Sequence, residues 1–410
     1  MLVIAGPFSQ IIIAFAKFIH DDESLRRGLE IAIADSWKFK FAYDKLHARN
    51  FQHFLQLMNE VLRQPPVWTS SQDGNVGCPL SSLFQPIMNT TAGWAVFSRT
   101  DFNKHLRFIL QSWAYYLQTV DSRWCLGGGN GWCDAQNLKF LEDEAQPDGG
   151  GKGFVEIFLC PDPSDKSTLG FRSWDDFFTR QFAPGIRPRA GGMAVDLHQA
   201  VLHPCEASTY RLTSGVRLSD EFWLKGQPYS IVDMLDQHWS SSLFRNGTVY
   251  QAYLSALSYH RWHAPVSGTV VSVKHIPGSY FAQVPAYTRP GIPGESSQHL
   301  LPVDDTPPNQ SQAYLASVAT RLLILFAADC HEIGMVAFLA IGMVEVSSCQ
   351  SLVTEGQHVV AGDEIGMFHY GGSSYCLLFQ PSFDAGHLKF GKTGGNNPVR
   401  SLLALPNHKG

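Results

Sequence analysis

A GGSS run near the C-terminal end of the chain places a serine hydroxyl directly after two glycines. Ser373 follows Gly371 and Gly372 in the stretch HYGGSSYCLLF. A serine hydroxyl becomes a useful nucleophile when a neighbouring base accepts its proton, and glycines permit close or strained backbone approach. The same residue types are also the ordinary residues of a β-turn. Taken alone, the run is compatible with a turn as well as with attack of Ser373 on a backbone carbonyl.

Two histidines and one acidic residue are candidate partners for such a serine. His260 and His263 lie three residues apart in YHRWHAP, and Glu206 lies in HPCEA. An imidazole is the most common general base in proteins, and a carboxylate can orient it. Two histidines are also compatible with packing in a core or with zinc binding. No third ligand lies nearby, so the signal for zinc is weak. The residue types alone leave these alternatives open.

The segments HPCEA, YHRWH and GGSS occur in the order in which similar motifs occur in the phosphatidylserine decarboxylase family. The resemblance covers residues 165–380 and includes the stretches SWDDFFTRQF and EGQHVVAGDEIGMFHYGGSS. Within the family, the chain most resembles the fungal L-tryptophan decarboxylases, which carry a helical N-terminal extension. The resemblance implies an α+β fold, with a helical N-terminal domain followed by a mainly antiparallel or mixed β catalytic core.

The resemblance also implies a self-cleaving enzyme. Ser373 attacks the carbonyl group of Gly372, the peptide bond between them breaks, and Ser373 becomes a covalent pyruvoyl group. His263 and Glu206 correspond to the base and its orienting carboxylate, and His260 to the residue that protonates the substrate carbanion. The pyruvoyl ketone forms a Schiff base with the substrate amine, so pyridoxal phosphate is not needed. The family usually has aspartate where this chain has Glu206, which keeps the charge on a longer side chain.

Apolar residues spaced three and four apart predict helices in the first part of the chain. We therefore expect residues 1–160 to form a helical domain. The Gly-rich stretch 126–153 predicts loops and a domain boundary, because polar, glycine-rich sequence rarely forms regular structure. The residues that show the helical spacing most clearly are Phe51, Phe54, Leu55, Met58 and Leu62, and then Phe102, Leu106, Ile109, Trp113 and Leu117.

Short β-branched and aromatic runs between glycines and prolines predict strands in the second half. Residues 161–410 are therefore expected to form the catalytic core, cleaved between residues 372 and 373. The stretch 285–309 is too rich in proline, glycine and serine for a helix or strand, and we expect a long loop there. The predicted strands are 268–275, 321–328, 341–347 and 375–379.

The composition excludes several classes of partner. A net charge of -5 gives no long-range attraction for nucleic acid or for anionic lipid. The eight cysteines form no CxxC pair, which indicates reduced thiols in a cytoplasmic protein and no metal site. The apolar N-terminal run is interrupted by Pro7, Gln10 and Lys17, so it predicts a buried or amphipathic helix rather than one inserted in a membrane.

These observations favour decarboxylation of an aromatic L-amino acid, L-tryptophan to tryptamine and carbon dioxide, as the function. The expected partners are a small amino-acid substrate and the two chains produced by cleavage, which stay associated. The alternative within the family is phosphatidylserine decarboxylation, for which residues 11–19 are the candidate lipid-docking helix. A non-catalytic or metal-binding β protein is the remote alternative.

Overall fold

The protein is described by a computed structural model that covers residues 8–38, 46–69, 77–146, 149–219, 229–281, 312–343, 345, 348–370, 373–384 and 396–406. Its longer helices precede most of its strands. The helices are α1 Gln10–Asp21, α2 Glu23–Ser36, α3 Phe51–Val61, α4 Pro79–Met88, α5 Thr91–Phe97, α6 Thr100–Leu117, α7 Ala135–Ala145, α8 Phe154–Ile157, α9 Trp174–Phe178, α10 Ile231–Met234 and α11 Gln312–Val318. The strands are β1 Val201–Leu202, β2 Ala207–Ser214, β3 Thr248–Leu254, β4 Arg261–His263, β5 Gly268–Ile276, β6 Arg321–Ala328, β7 Met335–Gly342, β8 Ser348–Ser351, β9 His358–Val359, β10 Glu364–His369, β11 Ser373–Phe379, β12 Asn396–Asn397 and β13 Leu402–Ala404.

The N-terminal helices each bury one apolar face in a common core. In α6 all five residues with helical spacing are buried, as the sequence predicts. Side-chain caps set where several helices begin: Asp22 accepts a hydrogen bond from the Leu25 amide, and Thr90 from that of Gly93. Such caps typically contribute about 1 kcal/mol each. The helical core extends through α9 to Phe178 and includes Tyr370 from the C-terminal half. The division between residues 160 and 161 stays a prediction.

The apolar N-terminal segment is the helix α1, and it packs inward. Ile12, Phe15, Ala16 and Ile19 are at most 1% exposed. The opposite face carries Lys17 and Asp21, which form an exposed ion pair. Among the described residues, no helix has both the length and the apolar character needed to cross a bilayer.

Two expectations about secondary structure need correction. The stretch 126–153 contains the helix α7, which begins after the cap residue Asp134. The glycines flank this helix rather than extend through it. Of the strand expected at 341–347, Ile341 and Gly342 lie in β7, which ends there, and the described residues Met343 and Glu345 lie outside any strand. β7 begins earlier, at Met335, because the preceding apolar residues pair with β6 and β11. The predicted loop 285–309 lies outside the described residues.

The C-terminal half is built on an antiparallel sheet with the strand order β12-β2-β3-β11-β7-β6-β5-β9. A three-stranded sheet of β4, β10 and β8 and a pair of β1 with β13 complete the described strands. A helical N-terminal region followed by this β core confirms the predicted α+β fold. β11 occupies an interior position between β3 and β7.

The two faces of β11 contribute to different cores. Tyr375, Leu377 and Phe379 pack in the core that contains Trp262 of β4, whereas Cys376 and Leu378 pack in the core that contains α10 and α11. Because side chains alternate along a strand, Ser373 faces the same side as Tyr375. The first residue of β11 is thereby directed toward the layer that carries the YHRWH segment.

Candidate active site

Ser373 is buried at the start of the central strand. Its backbone pairs with Leu254 of β3 on one side and with Gly342 of β7 on the other. Its side chain is 0% exposed, and its Oγ has no hydrogen-bond partner among the described residues. A buried hydroxyl without a partner costs about 1–3 kcal/mol, so the position is not explained by stability. Gly371 and Gly372 lie outside the described residues.

The neighbouring serine has different surroundings. Ser374 lies on the opposite face of β11, and its Oγ contacts Met343 Sδ at 3.9 Å. Strand alternation therefore separates the two hydroxyl groups of GGSS. Of the two, Ser373 is directed toward the core that contains Trp262 of the YHRWH segment.

His263 is held in one orientation by three groups. Its Nδ1 lies 3.0 Å from the Gly362 carbonyl oxygen, and its Nε2 lies 3.0 Å from the Tyr259 hydroxyl. A carbonyl oxygen can only accept, which favours a proton on Nδ1 and leaves Nε2 as the basic nitrogen. Arg400 Nε donates to the same carbonyl at 2.8 Å and also lies 3.1 Å from Nδ1 itself. Because a guanidinium can only donate, this second contact favours the other tautomer, with the proton on Nε2. The predicted role of His263 as a base requires the first of these two tautomers.

The electrostatic surroundings keep His263 neutral. Burial, followed by the nearby Arg400 guanidinium, lowers the pKa of His263 to about 3. Both effects disfavour the charged imidazolium. A neutral imidazole is the form that accepts a proton from a serine, as the predicted role of His263 requires. In the uncleaved chain Nε2 is hydrogen-bonded to Tyr259 rather than to Ser373.

Glu206 is buried in an ion pair that the sequence did not reveal. Arg187 contacts its two carboxylate oxygens through Nε at 3.0 Å and Nη2 at 2.5 Å, and the Val399 amide donates to it at 2.8 Å. Burial raises the pKa of Glu206, and the Arg187 ion pair opposes that shift. None of the hydrogen bonds of Glu206 reaches His263. Its role as the orienting carboxylate stays a prediction, and the groups in contact with His263 Nδ1 are the Gly362 carbonyl oxygen and Arg400 Nε.

His260 lies in an aromatic environment. Its ring is fully buried and stacks on Phe178 of α9, with the ring centroids 4.0 Å apart. Phe178 also contacts Tyr370, at 5.6 Å between centroids, and Tyr370 lies three residues before Ser373. Phe178 of the SWDDFF segment therefore contacts both His260 and Tyr370, which lies shortly before the expected cleavage site. The proposed task of His260 in turnover stays a prediction.

A cavity of about 200 Å³ opens beside His263. Arg187, Tyr259 and Arg400 line it together with His263, and none of these three was among the predicted site residues. Tyr259 directly precedes His260, so its position in the motif was the available signal. The two arginines lie far from the histidines in sequence and carried no such signal. Both nitrogens of His263 are hydrogen-bonded within the protein.

Comparisons with known proteins identify the relatives of this chain. The family model described as phosphatidylserine decarboxylase matches residues 174–394, and a second model described in the same way matches residues 9–141. Decarboxylase iboD of Amanita muscaria is 41% identical over 79% of this chain and 92% of its own length. L-tryptophan decarboxylase of Psilocybe cubensis is 35% identical over 80% of this chain and 72% of its own length. Phosphatidylserine decarboxylase proenzyme 2 of rice is 31% identical over 62% of this chain and 36% of its own length.

The chain belongs to the phosphatidylserine decarboxylase family. The predicted family and the predicted enzyme class, a carboxy-lyase, are confirmed. The similarity to the fungal decarboxylases extends over more of both chains than the similarity to the rice enzyme.

Proposed function

We propose that the protein is a self-cleaving, pyruvoyl-dependent decarboxylase that converts L-tryptophan to tryptamine and carbon dioxide. The observation that carries the proposal is the Ser373 hydroxyl, buried without a hydrogen-bond partner among the described residues, in the GGSS motif of this family. A hydroxyl that is to be consumed in a reaction gains nothing from a permanent partner. Enzymes of this family are generally pyruvoyl-dependent, and pyridoxal phosphate is not required.

Maturation needs only groups of this chain and water. Ser373 Oγ attacks the Gly372 carbonyl carbon, and the peptide bond is exchanged for an ester. Loss of the Cα proton of residue 373 then expels the Gly372 carboxylate and leaves dehydroalanine. Tautomerisation and addition of water release ammonia and leave the pyruvoyl group. We assign the acceptance of the hydroxyl proton to His263, which corresponds to the base in the family motif and is unprotonated because burial lowers its pKa.

In turnover, the pyruvoyl group supplies the electron sink that accepts the electron pair released with carbon dioxide. The chain's own residues bind the substrate, exclude water and deliver a proton. We assign the proton delivery to His260, which is buried against Phe178, a ring that also contacts Tyr370. General acid catalysis of this kind typically contributes about 10²–10⁴ in rate.

The substrate assignment rests on two arguments. The first is the relationship to a named L-tryptophan decarboxylase over most of both chains. The second is that α1, the candidate lipid-docking helix, already buries its apolar face inside the protein. Turning that face toward lipid would expose side chains whose burial is worth roughly 1.5–3 kcal/mol each for the large ones. Phosphatidylserine is therefore the second candidate.

The sheet topology supports the proposal that the two cleaved chains stay together. The C-terminal chain would have 38 residues, from 373 to 410. It would supply β11 between β3 and β7, β12 beside β2 and β13 beside β1. Cleavage would therefore leave it hydrogen-bonded within two sheets.

A cytoplasmic location also belongs to the proposal.

The test combines mass spectrometry with a substrate assay on one cleaved preparation. The small chain should begin with a pyruvoyl group at position 373, and borohydride in the presence of an amine should reduce and label it. Tryptamine should form from L-tryptophan, with little carbon dioxide released from phosphatidylserine vesicles. An intact chain would contradict the chemistry. A cleaved enzyme that acts on the lipid and not on tryptophan would contradict the substrate alone.

A further inference from the structure

His260 lies on the connection between β3 and β4, residues 255–260, rather than on a strand. β3 ends at Leu254 and β4 begins at Arg261, and the two strands belong to different sheets. Leu254 is the residue of β3 that pairs with Ser373. The connection therefore runs from the partner of Ser373 to His260, and its conformation sets where His260 lies relative to position 373.

Glu144, the next-to-last residue of α7, contacts this connection from the helical side. Residues 255–258 form a turn, closed by a hydrogen bond of 3.2 Å from the Ser258 amide to the Ser255 carbonyl. Glu144 Oε1 accepts from both serine hydroxyls of the turn, from Ser255 Oγ at 2.5 Å and from Ser258 Oγ at 2.9 Å. Hydrogen bonds to a carboxylate are about twice as strong as those between neutral groups. One carboxylate oxygen therefore fixes both ends of the turn.

Arg180, which follows α9, contacts the carbonyl groups of the same turn. Its Nη2 donates to the Leu257 carbonyl at 2.7 Å and to the Ser258 carbonyl at 3.3 Å. The side chain is buried, and the guanidinium lies over the ring of Phe158, 4.6 Å from its centroid. Burial lowers the pKa of Arg180 to about 10, and the charge of Glu144 is among the effects that oppose this shift, so the guanidinium stays charged at neutral pH. The turn is thus held by a carboxylate at its hydroxyls and by a guanidinium at its carbonyls.

These contacts act on His260 through the chain. The hydrogen bonds of Glu144 and Arg180 reach Ser258, two residues before His260. His263, in contrast, lies within β4, where it is paired with β10, and its ring has hydrogen bonds of its own. A side chain on a connection depends more on what holds that connection than a side chain on a paired strand does. Loss of Glu144 should therefore displace His260 more than His263.

We propose that Glu144 is a positioning residue for turnover, which acts through Ser255 and Ser258 to hold His260 in place beside the substrate attached at position 373. The inference rests on the proposed function, because it assumes that His260 delivers the proton. The helical part of the chain would thereby contribute to catalysis without contacting the substrate.

The test measures kcat and KM for tryptamine formation by the full-length, cleaved enzyme, with kcat expressed per pyruvoyl group from borohydride labelling. Glu144→Ala should still cleave and should lose about 10-fold or more in kcat, because displacement of a catalytic group by about 1 Å costs up to about 10² in rate. KM should change by less than about threefold, because the loss concerns a step after binding. Glu144→Gln keeps an acceptor oxygen for both serines and should stay within about threefold of the wild-type kcat.

The matched control is Glu142→Ala in the same helix. The carboxylate of Glu142 accepts a hydrogen bond of 2.9 Å from the Phe154 amide, outside the connection. This variant loses a comparable contact of the helical part and should keep the wild-type kcat. An equal loss of kcat in Glu142→Ala would show that any weakening of α7 has this effect and would overturn the inference. A Glu144→Ala enzyme with the wild-type kcat would also overturn it.

Ser258→Ala decides the question if Glu144→Ala does not fold. It removes one of the two hydroxyls that Glu144 holds and should lower kcat by about 2- to 5-fold. An unchanged kcat would overturn the inference. A cleaved wild-type enzyme that acts on phosphatidylserine and not on tryptophan would overturn the proposed substrate instead, and the same kcat ratios measured with the lipid would then decide the inference.

Discussion

His263 is surrounded by hydrogen-bonding groups, whereas His260, three residues earlier, is packed against the ring of Phe178. The partners of His263 are the Tyr259 hydroxyl, the Gly362 carbonyl and, from the C-terminal segment, Arg400, whereas the ring beside His260 comes from α9. A base for maturation needs an unprotonated ring nitrogen that can accept the hydroxyl proton. A proton donor for turnover needs a position beside the bound substrate. The difference teaches that the two proposed tasks depend on different parts of the molecule.

The largest effect should come from removing the group on which both tasks depend. Ser373→Ala should remain a single uncleaved chain without decarboxylase activity, because no hydroxyl is present to attack Gly372. Denaturing electrophoresis and intact mass measure the result. Ser374→Ala is the matched control, since its hydroxyl faces Met343, and it should still cleave. Cleavage of Ser373→Ala at the same bond would show that the nucleophile is another group.

His260→Ala should separate turnover from maturation. We expect two chains and a loss of about 10²–10⁴ in kcat for tryptamine formation, because the substrate carbanion lacks its proton donor. Borohydride labelling of the small chain should stay at the wild-type level. An uncleaved chain would mean that His260 serves maturation as well, and the comparison of the two histidines would fail.

His263→Ala, unlike His260→Ala, should impair maturation, with the rate of cleavage reduced by about 10² or more. The reason is that Ser373 loses its proton acceptor.

Because the pKa of His263 is lowered to about 3, the base stays neutral and the wild-type cleavage rate should show no step near pH 6.5, the ordinary value for histidine. A time course of freshly refolded precursor at several pH values measures both quantities. A clear decline through that pH would indicate a base with an ordinary pKa.

Glu206→Ala should slow maturation and also destabilise the precursor, because it leaves Arg187 without its buried partner. Breaking such a pair costs about 3–5 kcal/mol in the free energy of unfolding. Urea unfolding of uncleaved Ser373→Ala precursors with and without the second substitution isolates this effect from cleavage. Glu206→Asp should retain some processing, since the charge persists. Rapid and complete cleavage of Glu206→Ala would remove this residue from the maturation site.

Tyr259→Phe should give the smallest effect. The substitution removes the hydroxyl that bonds to His263 Nε2 and keeps the ring that stacks on Phe182 at 4.4 Å. Loss of one hydrogen bond is worth about 0.5–1.5 kcal/mol, so cleavage should change by less than about tenfold. A block as complete as that of Ser373→Ala would instead place the Tyr259 hydroxyl on the route of proton transfer.

The sequence by itself determined the family, the α+β class and the strands 321–328 and 375–379, because these depend on local spacing and on short contiguous motifs. It also identified Ser373, His260 and His263 as candidates from their motifs. Only the tertiary structure decided the partners of those residues. Arg400 lies 137 residues from His263, and Val399 lies 193 residues from Glu206. Val399 and Arg400 lie between β12 and β13, and the pairing of these strands with β2 and β1 brings both residues to the site. The sequence around them shows no helical or strand periodicity from which these contacts could be predicted.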